Sequence, residues 1–138
     1  MAGESLNIEK LADAFEAFNR RDAEAYIAAV DVPEDYEWRP FLTAGIQGGV
    51  YRGPAGLREW FANLDEVFES FSLETSEMRD LGDRLLVIGT LRGRGRGSGV
   101  AVESPVGVVV ELDAKRIPLR GIAFASHAEA LTYARIET

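Results

Sequence analysis

The chain has 138 residues, 46% hydrophobic and 28% charged, with a net charge of −8, enough for one domain that buries roughly 68% of its unfolded surface. The acidic balance argues against nucleic acid, which needs a concentrated basic surface, and the absence of cysteine excludes disulfides and thiolate chemistry. No stretch reads as a signal peptide or as an apolar span of about 18 residues, so a cytoplasmic protein without membrane contact is expected.

Ile8, Leu11, Ala12, Phe15 and Phe18 recur at helical spacing and predict a helix over about 7–20. Asn19-Arg20-Arg21-Asp22 interrupts it, and Asp22 can cap a second short helix carrying Tyr26, Ile27 and Val30. Val32-Pro33 ends that helix, because proline disfavours helical geometry in the residue before it. Tyr36-Glu37-Trp38-Arg39 reads as a short strand, and the glycine-rich stretch Gly45 to Gly49 as a loop. Pro54 suits the first turn of a third helix, where a missing N–H costs nothing. Leu57, Trp60, Phe61, Leu64, Val67 and Phe68 then lay one broad apolar stripe along it.

Leu81-Gly82-Asp83-Arg84 is read as a hairpin turn between two strands, one starting near Phe71 and one near Arg84. A run rich in β-branched residues over 100–112 predicts a further strand. Asp113-Ala114-Lys115 turns into a last strand over 116–125. Ser126-His127-Ala128-Glu129 is a capping box that opens a closing helix with Ala130, Leu131 and Ala134. With no internal repeat and no low-complexity linker, 1–138 reads as a single domain.

The order ααβαββββα, with sequential antiparallel strands, is an α+β arrangement. Three motifs carry a resemblance: Phe18-Asn19-Arg20-Arg21-Asp22, Tyr51-Arg52-Gly53-Pro54-Ala55-Gly56-Leu57, and the ending Phe124-Ala125-Ser126-His127-Ala128-Glu129-Ala130-Leu131. They resemble the end of the first helix, the entry to the third helix and the close of the SnoaL-like branch of the nuclear transport factor 2-like superfamily, over nearly the whole chain. The resemblance implies a cystatin-like cone, a curved antiparallel sheet wrapped around N-terminal helices. It implies no one reaction, because the superfamily hosts isomerases, cyclases, epoxide hydrolases, dehydratases and non-catalytic modules. Its ketosteroid isomerases use a tyrosine on the first helix and a carboxylate base on the first strand. Here those positions hold Ala14 and Arg39, or Trp38 if the register slips by one. None of these can serve as an enolising base.

Several side chains are candidates for chemistry or binding. Arg39 offers a forked pair of donors to a carboxylate or carbonyl, or simply pairs with Glu37 or Asp35 at the surface. Trp38, Tyr36, Tyr51, Trp60 and Phe61 gather around the first strand and third helix, as pocket lining or as plain core. His127, the only histidine, is a candidate base or a surface residue, and one histidine without cysteine leaves no conventional metal site. Glu103 would gain acid–base range if desolvated in a cavity, whereas Glu111 reads as exposed. On the last strand Arg120, Ile122 and Phe124 share one face and Leu119, Gly121 and Ala123 the other, and either set can face inwards. Arg92, Arg94 and Arg96 alternate with glycines, forming a solvated face, an anion site or a subunit contact.

The expected function is binding of an apolar small molecule, with turnover of isomerase, cyclase or hydrolase type. The alternative is a non-enzymatic ligand carrier or dimerisation module. Arg39, Glu103 and His127 are the catalytic candidates, and Trp38, Arg39, Tyr51, Trp60, Phe61, Arg120 and Phe124 the ligand-binding ones, with no cofactor implied. A ligand-sized cavity, about 300 Å³, is expected between the third helix and the concave sheet face. Val106, Val108, Val110 and Leu112 alternate with Gly107, Val109 and Glu111, so this strand is apolar on nearly both faces. A homodimer through the outer sheet face is the expected remedy.

Overall fold

The structure, a computed structural model, describes residues 5–40 and 50–134; the glycine-rich loop lies outside them. Helix α1 (Ile8–Asn19) starts at Asn7, whose side chain accepts the Lys10 N–H at 2.8 Å. Helix α2 (Ala23–Val30) is capped in the same way by Asp22, which accepts from the Ala25 N–H at 3.0 Å. Strand β1 (Glu37–Arg39) pairs with the two-residue strand β2 (Tyr51–Arg52), which leads directly into α3 (Gly53–Val67). Strands β3 (Phe68–Asp80), β4 (Arg84–Gly95), β5 (Ala101–Leu112) and β6 (Pro118–Phe124) follow, and α4 (His127–Ala134) closes the chain. The sheet order is β2-β1-β6-β5-β4-β3.

This is the α+β arrangement expected, with three refinements. Strand β2 is an addition too short to carry a period. Strand β3 begins at Phe68, because that residue already has extended geometry and turns its ring into the core beside Phe71. The sheet is mixed, since β1 lies parallel to β6 while β3 to β6 run antiparallel. Parallel pairing is possible because the whole body of the domain separates β1 from β6 in sequence.

The concave face of the sheet buries Leu85, Val87, Leu91, Val106, Val108, Val110 and Leu112 against the three N-terminal helices. The interrupting motif Asn19-Arg20-Arg21-Asp22 clamps those helices onto the edge strand. The Asn19 amide donates to the Leu73 carbonyl at 3.0 Å and accepts its N–H at 2.7 Å. The Arg21 guanidinium pairs with Asp65, donates to the Glu69 and Phe68 carbonyls, and lies 4.9 Å from the Phe71 ring centroid. Backbone groups that an edge strand would leave open are thereby occupied.

The outer face corrects the reason given for a dimer. Helix α4 covers it from within the same chain, burying Leu86, Ile88 and Val109 under Ala130 and Ala134. The approach is close because residue 107 is glycine: a Cβ there would fall 2.2 Å from the Ala130 Cβ. Away from α4 the same face is charged, with Arg92 bridging Glu74 and Glu103. Thus Val106, Val108, Val110 and Leu112 point inwards, and the outward residues already have a cover. Among the described residues no helix is long and apolar enough to cross a membrane.

The Arg116 guanidinium ties three distant turns together. It grips both Asp80 oxygens at 3.1 and 2.7 Å and donates to the Gly82 and Leu6 carbonyls. Arg116 and the Gly82 N–H hold the Asp80 carboxyl below its usual value. A depressed folded pKa means the contribution is complete above the unfolded value and fades as pH falls through the folded one. Asp80→Asn is therefore expected to lower stability at pH 7 by no more than about 1 kcal/mol, since the pair is partly exposed. Urea unfolding of both proteins should show that difference vanish in strong acid.

Candidate functional site

A narrow cleft opens between the helices and the concave sheet. Phe15 and Phe18 of α1, Tyr26 of α2 and Trp60 and Leu64 of α3 form one wall. Trp38 and Pro40 at the end of β1, with Phe68, Phe71, Leu73, Leu91, Val106, Val108 and Ala123 of the sheet, form the other. Its volume is about 50 Å³, well under the 300 Å³ expected of a drug-sized ligand site (about 300–1,000 Å³). The expected ligand-sized cavity is not there: a small hollow with aromatic and aliphatic walls stands in its place, because the aromatic rings pack against one another. Trp60 stacks on Phe18 with centroids 5.6 Å apart and meets Trp38 edge-to-face at 5.0 Å.

Two polar atoms stand out in this apolar lining. The indole Nε1 groups of Trp38 and Trp60 are buried and have no hydrogen-bond partner among the described residues. A buried donor left without a partner costs about 1–3 kcal/mol, and such groups are rare in folded proteins. The remaining polar group of the lining, the Tyr26 phenol, has its pKa raised by burial and is protonated at neutral pH. Behind it, burial and the proximity of Tyr26 push Tyr36 well above the ordinary value.

The candidates from sequence separate into those at the cleft and those elsewhere. Trp38 and Trp60 line it. Phe61 is core, set among the Phe18, Tyr26 and Trp60 rings. Tyr51 is buried away from the cleft, and its hydroxyl accepts from Asn63 Nδ2 at 2.9 Å. Arg39 alternates with Trp38 and so faces outwards, where it pairs with Glu37 at 3.0 Å, a carboxylate also held by Arg52. Of the two readings of the base position, the inward residue is thus Trp38.

Glu103 is exposed and bound to Arg92 at 2.7 Å, so it lies outside the cleft as well. Arg120 and Phe124 are corrected to the outer face: Arg120 pairs with Glu111 across the strands at 2.7 Å, and Phe124 packs on the Tyr133 ring. Gly121 and Ala123 are the inward set of β6. His127 is far from the cleft on α4, and its Nε2 lies 2.8 Å from the Gly89 carbonyl. A carbonyl only accepts, so Nε2 carries the hydrogen and the ring pins the helix to β4. Of the arginine run, Arg92 serves the charged outer face, Arg94 donates to the Gly99 carbonyl, and Arg96 folds over the end of α3 to the Asp65 and Phe68 carbonyls. Phe15, Phe18, Phe71, Val106 and Val108 were visible in sequence as apolar period, which does not distinguish cleft wall from core.

The model of the SnoaL-like domain matches residues 11–120. The chain belongs to the SnoaL-like domain family. No curated protein matches it significantly in sequence. Among solved structures, this SnoaL-like chain is similar to an NTF2-like protein of unknown function from Burkholderia pseudomallei, at 20% identity, TM-score 0.74, covering 91% of this chain and 94% of that one. It is similar to TerC co-crystallised with polyporic acid, at 21% identity, TM-score 0.73, with 94% and 98% covered. A third is a protein of ketosteroid isomerase-like fold from Catenulispora acidiphila in complex with trimethylamine, at 13% identity, TM-score 0.72, with 96% of each chain covered. These likenesses concern the fold.

Proposed function

We propose that this SnoaL-like protein binds a small apolar molecule in the aromatic cleft and acts as a ligand-binding module, without carboxylate or imidazole catalysis. The observation that carries this reading is the lining itself: among the described residues the cleft has aromatic and aliphatic walls and no carboxylate, histidine or basic side chain. Proton transfer needs a group within hydrogen-bond reach of the proton, and Arg39, Glu103 and His127 are engaged elsewhere. Two relatives of the same fold were crystallised with small molecules, which favours a ligand over a purely structural role. At about 50 Å³ the cleft is smaller than a single ring needs, so the walls must part to admit one.

Toluene is the simplest probe. Titration is expected to produce saturable methyl NMR shifts at Leu64, Leu91, Val106 and Val108, and Ala123→Leu, which fills the cleft from β6, should abolish them. Shifts that never saturate, or that persist unchanged in the filled variant, would sink the reading. A second expectation concerns catalysis. A β,γ-unsaturated 3-ketosteroid should isomerise no faster than in buffer, because Ala14 and Trp38 stand where the phenol and the base are required. Losing both groups removes many powers of ten, each worth about 1.36 kcal/mol. Absorbance of the conjugated enone is the readout; turnover abolished by Glu103→Gln would assign a working base after all.

A further inference from the structure

We propose that the cleft selects a neutral ring-sized molecule bearing a carbonyl oxygen, which accepts hydrogen bonds from the indole N–H groups of Trp38 and Trp60. This rests on the reading of the cleft as a ligand site and adds the chemistry of the ligand. An indole nitrogen is a donor only, so nothing but an acceptor can satisfy it. Both indoles are almost fully buried, at 3% and 6% exposure, both line the cleft, and neither finds an acceptor among the described residues. The faces of the surrounding rings are weak acceptors, second-order to a carbonyl.

The orientation of Trp38 is held from behind. A Cβ at Gly121 would sit 2.9 and 3.1 Å from Cε3 and Cζ3, so the benzo edge of the indole is pressed against β6. The N–H lies on the opposite edge by the covalent geometry of the ring. Gly121 is thus the residue that lets the indole seat against the strand, since any side chain there would displace it. A charged ligand does not fit this lining. A carboxylate would be stripped of water with no opposite charge to meet it, and an ammonium, which ring faces attract, would leave both indole donors without an acceptor. The cleft, at about 50 Å³, is smaller than the 150 Å³ or so of an apolar cavity that takes benzene. Its aromatic walls must therefore part, which keeps affinity modest and makes the hydrogen bonds the source of selectivity.

The chain has two tryptophans, so a ¹⁵N-labelled sample shows two indole N–H resonances, both reporting on the cleft. The test is titration with acetophenone and with α-methylstyrene, in which C=CH₂ replaces C=O at nearly the same shape. Acetophenone is expected to move both indole protons downfield and to bind about tenfold more tightly than its isostere. Trp38→Phe and Trp60→Phe should each bring the acetophenone to α-methylstyrene ratio close to one, a ratio in which the change of cleft volume common to both probes cancels. Equal binding of the two probes overturns the proposal and leaves the apolar-ligand reading standing. Binding of neither overturns that reading too. Indole protons that cross-relax with a long-lived water and ignore acetophenone assign the donors to water and overturn the proposal, as does tighter binding of tetramethylammonium.

Discussion

Between pH 10 and pH 12 the protein is expected to lose stability steeply, by about 2 kcal/mol through Tyr26 and by a further amount in the same direction through Tyr36. Both phenols are buried, at 5% and 3% exposure, and burial raises both pKa values above the ordinary 10. An unfolded chain releases these protons near pH 10, whereas the folded chain holds them. The stability they carry is therefore complete below pH 10 and falls as pH rises towards the folded values, by about 1.4 kcal/mol per pH unit for each tyrosine. Lys10 and Lys115 are the only lysines, and Tyr133, whose pKa burial and Glu111 also raise, adds to the slope in the same direction. Urea unfolding from pH 8 to pH 12 measures the slope, and the double variant Tyr26→Phe, Tyr36→Phe should flatten it. An unchanged slope in that variant would show that other groups drive alkaline unfolding.

Trp60→Ala should remove about 3–5 kcal/mol, a large part of the 5–15 kcal/mol typical of a domain. The indole touches Phe18, Tyr26, Trp38 and Phe61, with centroids 5.0 to 6.5 Å apart, so its loss leaves a hole bounded by rings that cannot collapse into it. Trp60→Phe should cost under about 2 kcal/mol, because it keeps a ring in place and deletes a donor that has no partner among the described residues. Equilibrium unfolding of the two variants separates volume from polarity. Equal losses would mean that the N–H is satisfied in the folded protein, and the case for an acceptor in the cleft would go with it.

The charged groups that sequence offered for catalysis form part of the outer surface: Glu74–Arg92–Glu103, Glu111–Arg120 and Arg39–Glu37–Arg52 are all ion pairs on the face away from the three N-terminal helices. Exposed pairs of this kind contribute little stability each. What they do is keep that face wet where α4 does not cover it.

The sequence by itself determined what depends on neighbours a few residues apart. The stripe Leu57, Trp60, Phe61 and Leu64 on α3, the caps at Asp22 and Ser126, and the turn at Gly82 are local patterns, and each forms where the pattern stands. The order of elements followed from them, and with it the cone. Only the tertiary structure decided which side each strand presents. Strand β5 is apolar on both faces, and period two is the same whichever face is inside; the pairing of Gly107 with Ala130 is what turns Val109 out and Val108 in. The same holds for Trp38. Sequence leaves Arg39 and Trp38 as alternatives at the base position, and parallel pairing of β1 with β6 seats Trp38 opposite Gly121 and sends Arg39 to the surface. Two indole donors without partners among the described residues came from contacts between residues 22 positions apart, a separation at which no repeat or spacing in a single chain signals proximity.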